Sequence, residues 1–159
     1  YEQDFANLIA IAEKYPIDVR FIEMMPIGMG AGSYLVSNER LLETLNSMYE
    51  HIELDEVSRG NGPAIYYKIP GFKGDIGFIS AIHGKFCKYC NRIRLTSRGE
   101  LKSCLCFDNH ISLKEALRKG DRIETNRLLK ESILGKPEQH CFEELGSITE
   151  KKRMAQIGG

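Results

Sequence analysis

The chain has 159 residues, of which 42% are hydrophobic and 28% charged, the balance of an ordinary globular domain large enough to bury a core without disulfide staples. Lys and Arg together number 22, as do Asp and Glu, so no global field recruits nucleic acid or an anionic membrane, and any anion site must come from a local cluster. No apolar run reaches the roughly 20 residues of a membrane helix, and no basic start leads into an apolar stretch, so neither nucleic acid nor membrane is expected as a partner.

The first residue is Tyr1, and helical spacing begins almost at once, which leads us to expect a piece of a longer protein whose N-terminal part is missing. Phe5, Leu8, Ile9 and Ala12 recur at helical spacing between Asp4 and Tyr15, and Pro16 ends the pattern. Ile17 to Glu23 then reads as a buried strand, so the chain opens in α/β grammar. A Met- and Gly-rich loop, MMPIGMGAGSY, follows at the C-terminal end of that strand, where α/β barrels bind ligands. Ser37 is a good N-cap for a helix over 38–49 that carries Leu41, Leu42 and Leu45 on one face, and a strand is expected over 52–57.

SRGNGP at 58–63 is a turn cluster and the expected boundary between two regions, 1–58 and 59–159. Beyond it AIYYKI and DIGFISAI read as paired strands, and IRLT and ELKSCL as a second hairpin. Ser112 with Glu115 forms a capping box for a short helix closed by Gly120, and Asp121 with Glu124 another for a helix reaching Leu134. The fold class expected is therefore mixed α/β: helices, strands and β-hairpins in one chain.

Five cysteines are present, four of them within twenty residues: Cys87, Cys90, Cys104 and Cys106, with Cys141 apart. An odd count clustered in this way argues against a secreted disulfide framework and for metal binding in a reducing cytosol. Cys87 and Cys90 are two residues apart, so both thiolates can enter one small volume, and the hairpin can return Cys104 to it. Cys104 and Cys106 flank Leu105 in an expected strand, where alternate side chains share a face. Spacing alone leaves two readings open: a closed structural zinc ribbon with Cys106 as the fourth ligand, or a three-cysteine [4Fe–4S] site. Arg92 and Arg94 follow Cys90 directly and project to one side of an extended segment, a geometry that suits phosphate, although solvated arginines have the same spacing. A nucleotide-binding regulatory domain without metal is a third reading. Met24, Met25 and Met29 read on their own as gap-filling methionines, and His83 as a solvated loop histidine.

RFIEMMPIGMG, DIGFISAIHGKFCKYCNRIRLTSRGELKSCL and the closing MAQIGG together resemble the GTP 3′,8-cyclase family of molybdenum-cofactor biosynthesis, from about Arg20 to Gly159. The resemblance implies a radical S-adenosylmethionine lyase with an incomplete α/β barrel. Its activity converts GTP, with S-adenosylmethionine, to (8S)-3′,8-cyclo-7,8-dihydroguanosine 5′-triphosphate. It implies that Cys87, Cys90 and Cys104 ligate a second [4Fe–4S] cluster, which keeps one iron open for the purine. Arg92, Ile93 and Arg94 would contact GTP, Met25 would lie at the S-adenosylmethionine site, and Gly158 and Gly159 would form a catalytic tail. Residues 1–58 would be the last strand and helix of the barrel, and 59–159 the cluster- and GTP-binding region. The Cys-x3-Cys-x2-Cys motif that cleaves S-adenosylmethionine in this family is absent from the sequence, so the chain alone is expected to be inactive. The expected partners are GTP and the missing barrel of the same protein, with a homodimer left open, in the cytoplasm. Cys106 and Cys141 match no ligand position of the family and read as core or adventitious thiols.

Overall fold

The structure, a computed structural model, describes residues 5–32, 36–57, 59–84 and 86–157. The expected mixture of helices and sheets is present, and the chain forms two compact units, one of 1–24 with 34–86 and the other of 25–33 with 87–159. The division therefore follows Phe86, and the turn cluster at 58–63 lies inside the first unit. Arg59, from that cluster, bonds Asp18 at 2.5 Å, Asp55 at 2.6 Å and Asp75, all within the first unit.

In the first unit, α1 (Phe5–Lys14) leads into β1 (Val19–Ile22), followed by α2 (Asn38–Met48), β2 (Glu53–Asp55), β3 (Ile65–Lys68) and β4 (Ile76–Ile79). The sheet order is β1-β4-β3-β2, with β1 parallel to β4 and the other pairs antiparallel. Ser37 caps α2, its Oγ accepting from the Arg40 N–H at 3.3 Å. Ile9, Ala12 and Leu45 from the two helices close over Phe21, Ile76 and Phe78 from the sheet and Ile69 just after β3.

The stretch 17–23, expected to be wholly buried, is a four-residue strand at the sheet's end in which only Phe21 is buried and Ile22 is 60% exposed. A sheet covered on one face buries alternate residues, and that rule prevails here over the apolar run. Glu23, just beyond β1, is buried and satisfied by its surroundings. It accepts from the N–H groups of Asn38 at 3.1 Å, Ile82 at 2.8 Å and His83 at 3.0 Å, and its Oε1 lies 3.0 Å from the Nδ1 of His83. His83 is thus half paired rather than simply solvated, and Glu23 ties the start of α2 to the loop after β4.

In the second unit, β5 (Arg94–Leu95), β6 (Glu100–Lys102) and β7 (Ile111–Ser112) form an antiparallel sheet in that order. The third strand has only two residues, too short to be visible as a period in the sequence. Its pairing of Ser112 with Glu100 alters the expected capping box. α3 (Lys114–Lys119) starts after Leu113, and the Ser112 Oγ, although in the strand, accepts from the Lys114 N–H at 3.4 Å. Gly120 closes α3 as expected, at φ +66°, a left-handed conformation that favours glycine. Asp121 caps α4 (Arg122–Leu134) through the Glu124 N–H at 3.0 Å. Lys102 and Glu150 form a fully buried ion pair, and the Lys102 ammonium also donates to the Phe107 carbonyl at 2.8 Å. Among the described residues no helix is long and apolar enough to cross a membrane.

Candidate metal and nucleotide site

Cys87, Cys90, Arg92, Arg94 and Cys104 all belong to the second unit. A 3-10 turn over Phe86–Tyr89 carries Cys87, and the Cys90 N–H closes back on the Cys87 carbonyl at 3.0 Å, so the two-residue gap folds into one tight turn. The chain then extends through Asn91, Arg92 and Ile93 into β5, turns tightly at 96–99, and comes back along β6 to Cys104. All three cysteines are half-buried.

Their electrostatics describe one shared environment. Burial raises the pKa of the Cys104 thiol, and the charges of Cys87 and Cys90 push it further up. Burial works the same way on Cys90, but the Arg92 N–H, Lys136 and the Arg92 charge outweigh it, so its pKa is lowered and its thiolate favoured. Burial and the neighbouring Arg92 charge hold Arg94 below the ordinary guanidinium value, while Cys90 and Cys104 act in the opposite direction. Arg92 is exposed and Arg94 half-buried, with Ile93 between them 39% exposed.

Among the described residues no three His, Cys, Asp or Glu side chains close tightly enough for a single metal ion. The ligand thiolates of a four-iron cluster hold different irons and stand further apart, and Cys87, Cys90 and Cys104 suit that group in chemistry, number and mutual influence. Donors also face the sulfurs: the His140 N–H lies 3.4 Å from the Cys87 sulfur and the Lys136 ammonium 3.4 Å from that of Cys90. Hydrogen bonds of this kind are part of how a protein holds such a cluster.

Cys106 does not follow the strand rule. β6 ends at Lys102, so Cys104 and Cys106 lie beyond the ladder that would have put them on one face. Cys106 is buried and its sulfur sits 2.8 Å from that of Cys141, whose N–H also donates to it at 3.2 Å. Burial and the neighbouring thiol push its pKa up to about 12. The two thiols thus partner each other across 35 residues, a pairing that no local sequence motif marks.

Met25 is the second residue of the Met- and Gly-rich loop and is half-buried. Within the same unit, Gly28, at φ +56°, comes so close to the chain at 152–154 that a Cβ would lie 3.2 Å from the Arg153 Cα. The loop of Met25 therefore packs against the segment leading to the C-terminus. Gly158 and Gly159 themselves lie outside the described residues. Lys136 carried no signal in the sequence, because a basic residue just past a helix end is what the helix dipole favours anywhere.

Residues 17–142 match the family model described as Molybdenum Cofactor Synthesis C. The chain belongs to that family. Molybdenum Cofactor Synthesis C relatives named GTP 3′,8-cyclase are similar over nearly all of it. The one from Clostridium perfringens (strain SM101 / Type A) is 43% identical over 159 residues, covering 99% of this chain and 49% of the relative. Those from Clostridium acetobutylicum and Desulforamulus reducens are 42% and 38% identical, covering 98% and 99% of this chain and 47% and 49% of theirs. The chain spans about half the length of the curated relatives it matches.

Proposed function

We propose that this chain is the C-terminal part of a GTP 3′,8-cyclase, a radical S-adenosylmethionine lyase, and that it carries the enzyme's GTP-binding cluster site. Cys87, Cys90 and Cys104 would hold a [4Fe–4S] cluster, which when bound supplies an iron free of protein ligands for a donor atom of the purine. The observation that carries this reading is the tight Cys87–Cys90 turn running directly into Arg92 and Arg94, with the Lys136 ammonium 2.6 Å from the Arg92 carbonyl and 3.4 Å from the Cys90 sulfur, so that the thiols and the arginine pair adjoin. Arg92 and Arg94 grip the phosphate charge and Ile93 lies between them against the nucleotide. Half-burial of Arg94 keeps water from competing fully for its guanidinium, which strengthens the contact. Met25 contributes to the S-adenosylmethionine site. The close packing of its loop on 152–154 supports a tail, ending in Gly158 and Gly159, that reaches the same pocket. An N-terminal barrel region of the same protein, outside this chain, supplies the rest of the active site.

A zinc ribbon would need Cys106 as its fourth ligand, and the 2.8 Å contact of Cys106 with Cys141 weighs against it. The test is GTP binding to the anaerobically purified full-length enzyme, with and without Cys104→Ser. On this reading GTP affinity falls together with the cluster's visible absorption in the variant. Unaltered affinity in a protein that has lost all iron would favour a metal-free nucleotide site instead.

A further inference from the structure

α4 ends at Leu134, and its cap, the Gly135 N–H on the Glu131 carbonyl at 2.8 Å, turns the chain off the helix. Pro137 follows and cannot continue a helix. Between them stands Lys136. Its ammonium donates to the Arg92 carbonyl at 2.6 Å and lies 3.4 Å from the Cys90 sulfur. Four residues on, the His140 N–H lies 3.4 Å from the Cys87 sulfur. The stretch 136–140 thus forms a wall over the Cys87–Cys90 turn, with one donor for each thiolate.

Ordering a lysine costs side-chain entropy, so one held at two points needs both contacts to be favourable. The two acceptors differ in kind. Cys90 is assigned above to the cluster, while the Arg92 carbonyl belongs to the peptide between the anion-binding Arg92 and Ile93. Fixing that carbonyl fixes the plane of the peptide, and with it the direction in which Arg92 and Arg94 leave the chain. A cationic N–H at a cluster thiolate offsets the charge added on reduction, so it raises the reduction potential.

We propose that Lys136 is a positioning residue that couples the two halves of the site: it sets the potential of the cluster through Cys90 and the aim of the arginine pair through the Arg92 carbonyl. This rests on the assignment of Cys87, Cys90 and Cys104 as cluster ligands. Nothing in the role requires Lys136 to touch the substrate, so its loss should alter the site without emptying it.

The test uses the full-length, anaerobically purified enzyme as wild type, Lys136→Met, Lys136→Gln, Lys136→Arg and Cys90→Ser. Iron, sulfide, the cluster's reduction potential by redox titration, and GTP affinity are measured for each. Lys136→Met should keep wild-type iron and sulfide, lower the potential and weaken GTP binding about tenfold, one lost charge-assisted contact. Lys136→Gln retains an N–H for the Arg92 carbonyl but no charge, so it should lower the potential while largely sparing GTP affinity. Lys136→Arg should restore both in part. A merely structural lysine would move melting temperature without this split. Cys90→Ser should lose the cluster; if it keeps iron, sulfide and potential, the ligand assignment falls and the proposal with it. If Cys90→Ser loses the cluster but the Lys136→Met and Lys136→Gln enzymes match wild type in potential and GTP affinity, the lysine's role alone is overturned.

Discussion

In the first unit seven buried apolar side chains, drawn from two helices and a four-stranded sheet, close on one another, and Phe5, Phe21, Phe78 and Tyr67 interlock within them. In the second, the largest fully buried side chain is a lysine, Lys102, and its partner Glu150 is buried with it. The sheet there has strands of two and three residues. The first unit is held by burial of apolar area, which needs no exact partner. The second also buries apolar side chains, among them Leu101, Leu113, Phe142 and Ile157, and adds to them a buried ion pair. The contrast is between a core closed by apolar packing and one that also buries an ion pair.

That contrast can be broken most severely at Lys102. Removing one member of a buried ion pair leaves an uncompensated charge and costs about 3–5 kcal/mol. Lys102→Met alone should therefore destabilise the protein by that amount in denaturant titration. A Lys102→Met/Glu150→Leu double variant should recover most of the loss, because both charges are gone. If the double variant is no better than the single, the pair is held by more than its own charges.

At the site itself, Arg94→Ala should weaken GTP binding by about 1.5–3 kcal/mol, one to two decades, with a smaller loss for the exposed Arg92→Ala. The melting temperature should stay near wild type in both. Equal affinity in the two variants and the wild type would remove the arginines from the site.

In the first unit the sharpest polar feature is Glu23. Burial works against its charge, but N–H donors from Ile82 and Asn38, and His83 by its ring and its backbone, outweigh that and hold the pKa below the ordinary 4.5. A carboxylate depressed in the folded state contributes stability above its unfolded pKa and loses it as pH falls through the folded one. Glu23→Gln should thus cost about 1–3 kcal/mol at neutral pH. The gap from wild type should close as pH drops below 4.5. A gap independent of pH would mean that shape, not charge, is what Glu23 contributes.

The smallest expected effect is at Cys106. Its sulfur is engaged with Cys141, so Cys106→Ser should leave the iron and sulfide content of the full-length enzyme unchanged. Loss of a cluster in that variant would return Cys106 to the ligand set.

Much of this was legible in the sequence, and unevenly so. α2 and α4 were marked at their starts because Ser37 and Asp121 advertise their caps locally, and both hairpins carried their turns between them. The thiol and arginine positions stood out because two-residue spacings need only a turn or an extended segment to become geometry. What did not show were pairings over long separations: Lys136 with Cys90, Cys106 with Cys141, Lys102 with Glu150. No periodicity encodes these, since each joins segments whose own local pattern is already satisfied. β7 escaped because its two residues stand apart from any hairpin turn in the sequence, while Ser112 within it still accepts from the Lys114 N–H.

The central claim is that three thiolates of the second unit hold an iron–sulfur cluster rather than zinc. It is met most directly by measuring iron, acid-labile sulfide and zinc together in the anaerobically purified full-length enzyme, wild type beside Cys104→Ser. The account predicts that the wild type contains iron and sulfide in equal amounts with no stoichiometric zinc, and that Cys104→Ser loses one cluster's worth of both. Stoichiometric zinc in the wild type, lost in Cys104→Ser while iron and sulfide stay constant, would contradict it.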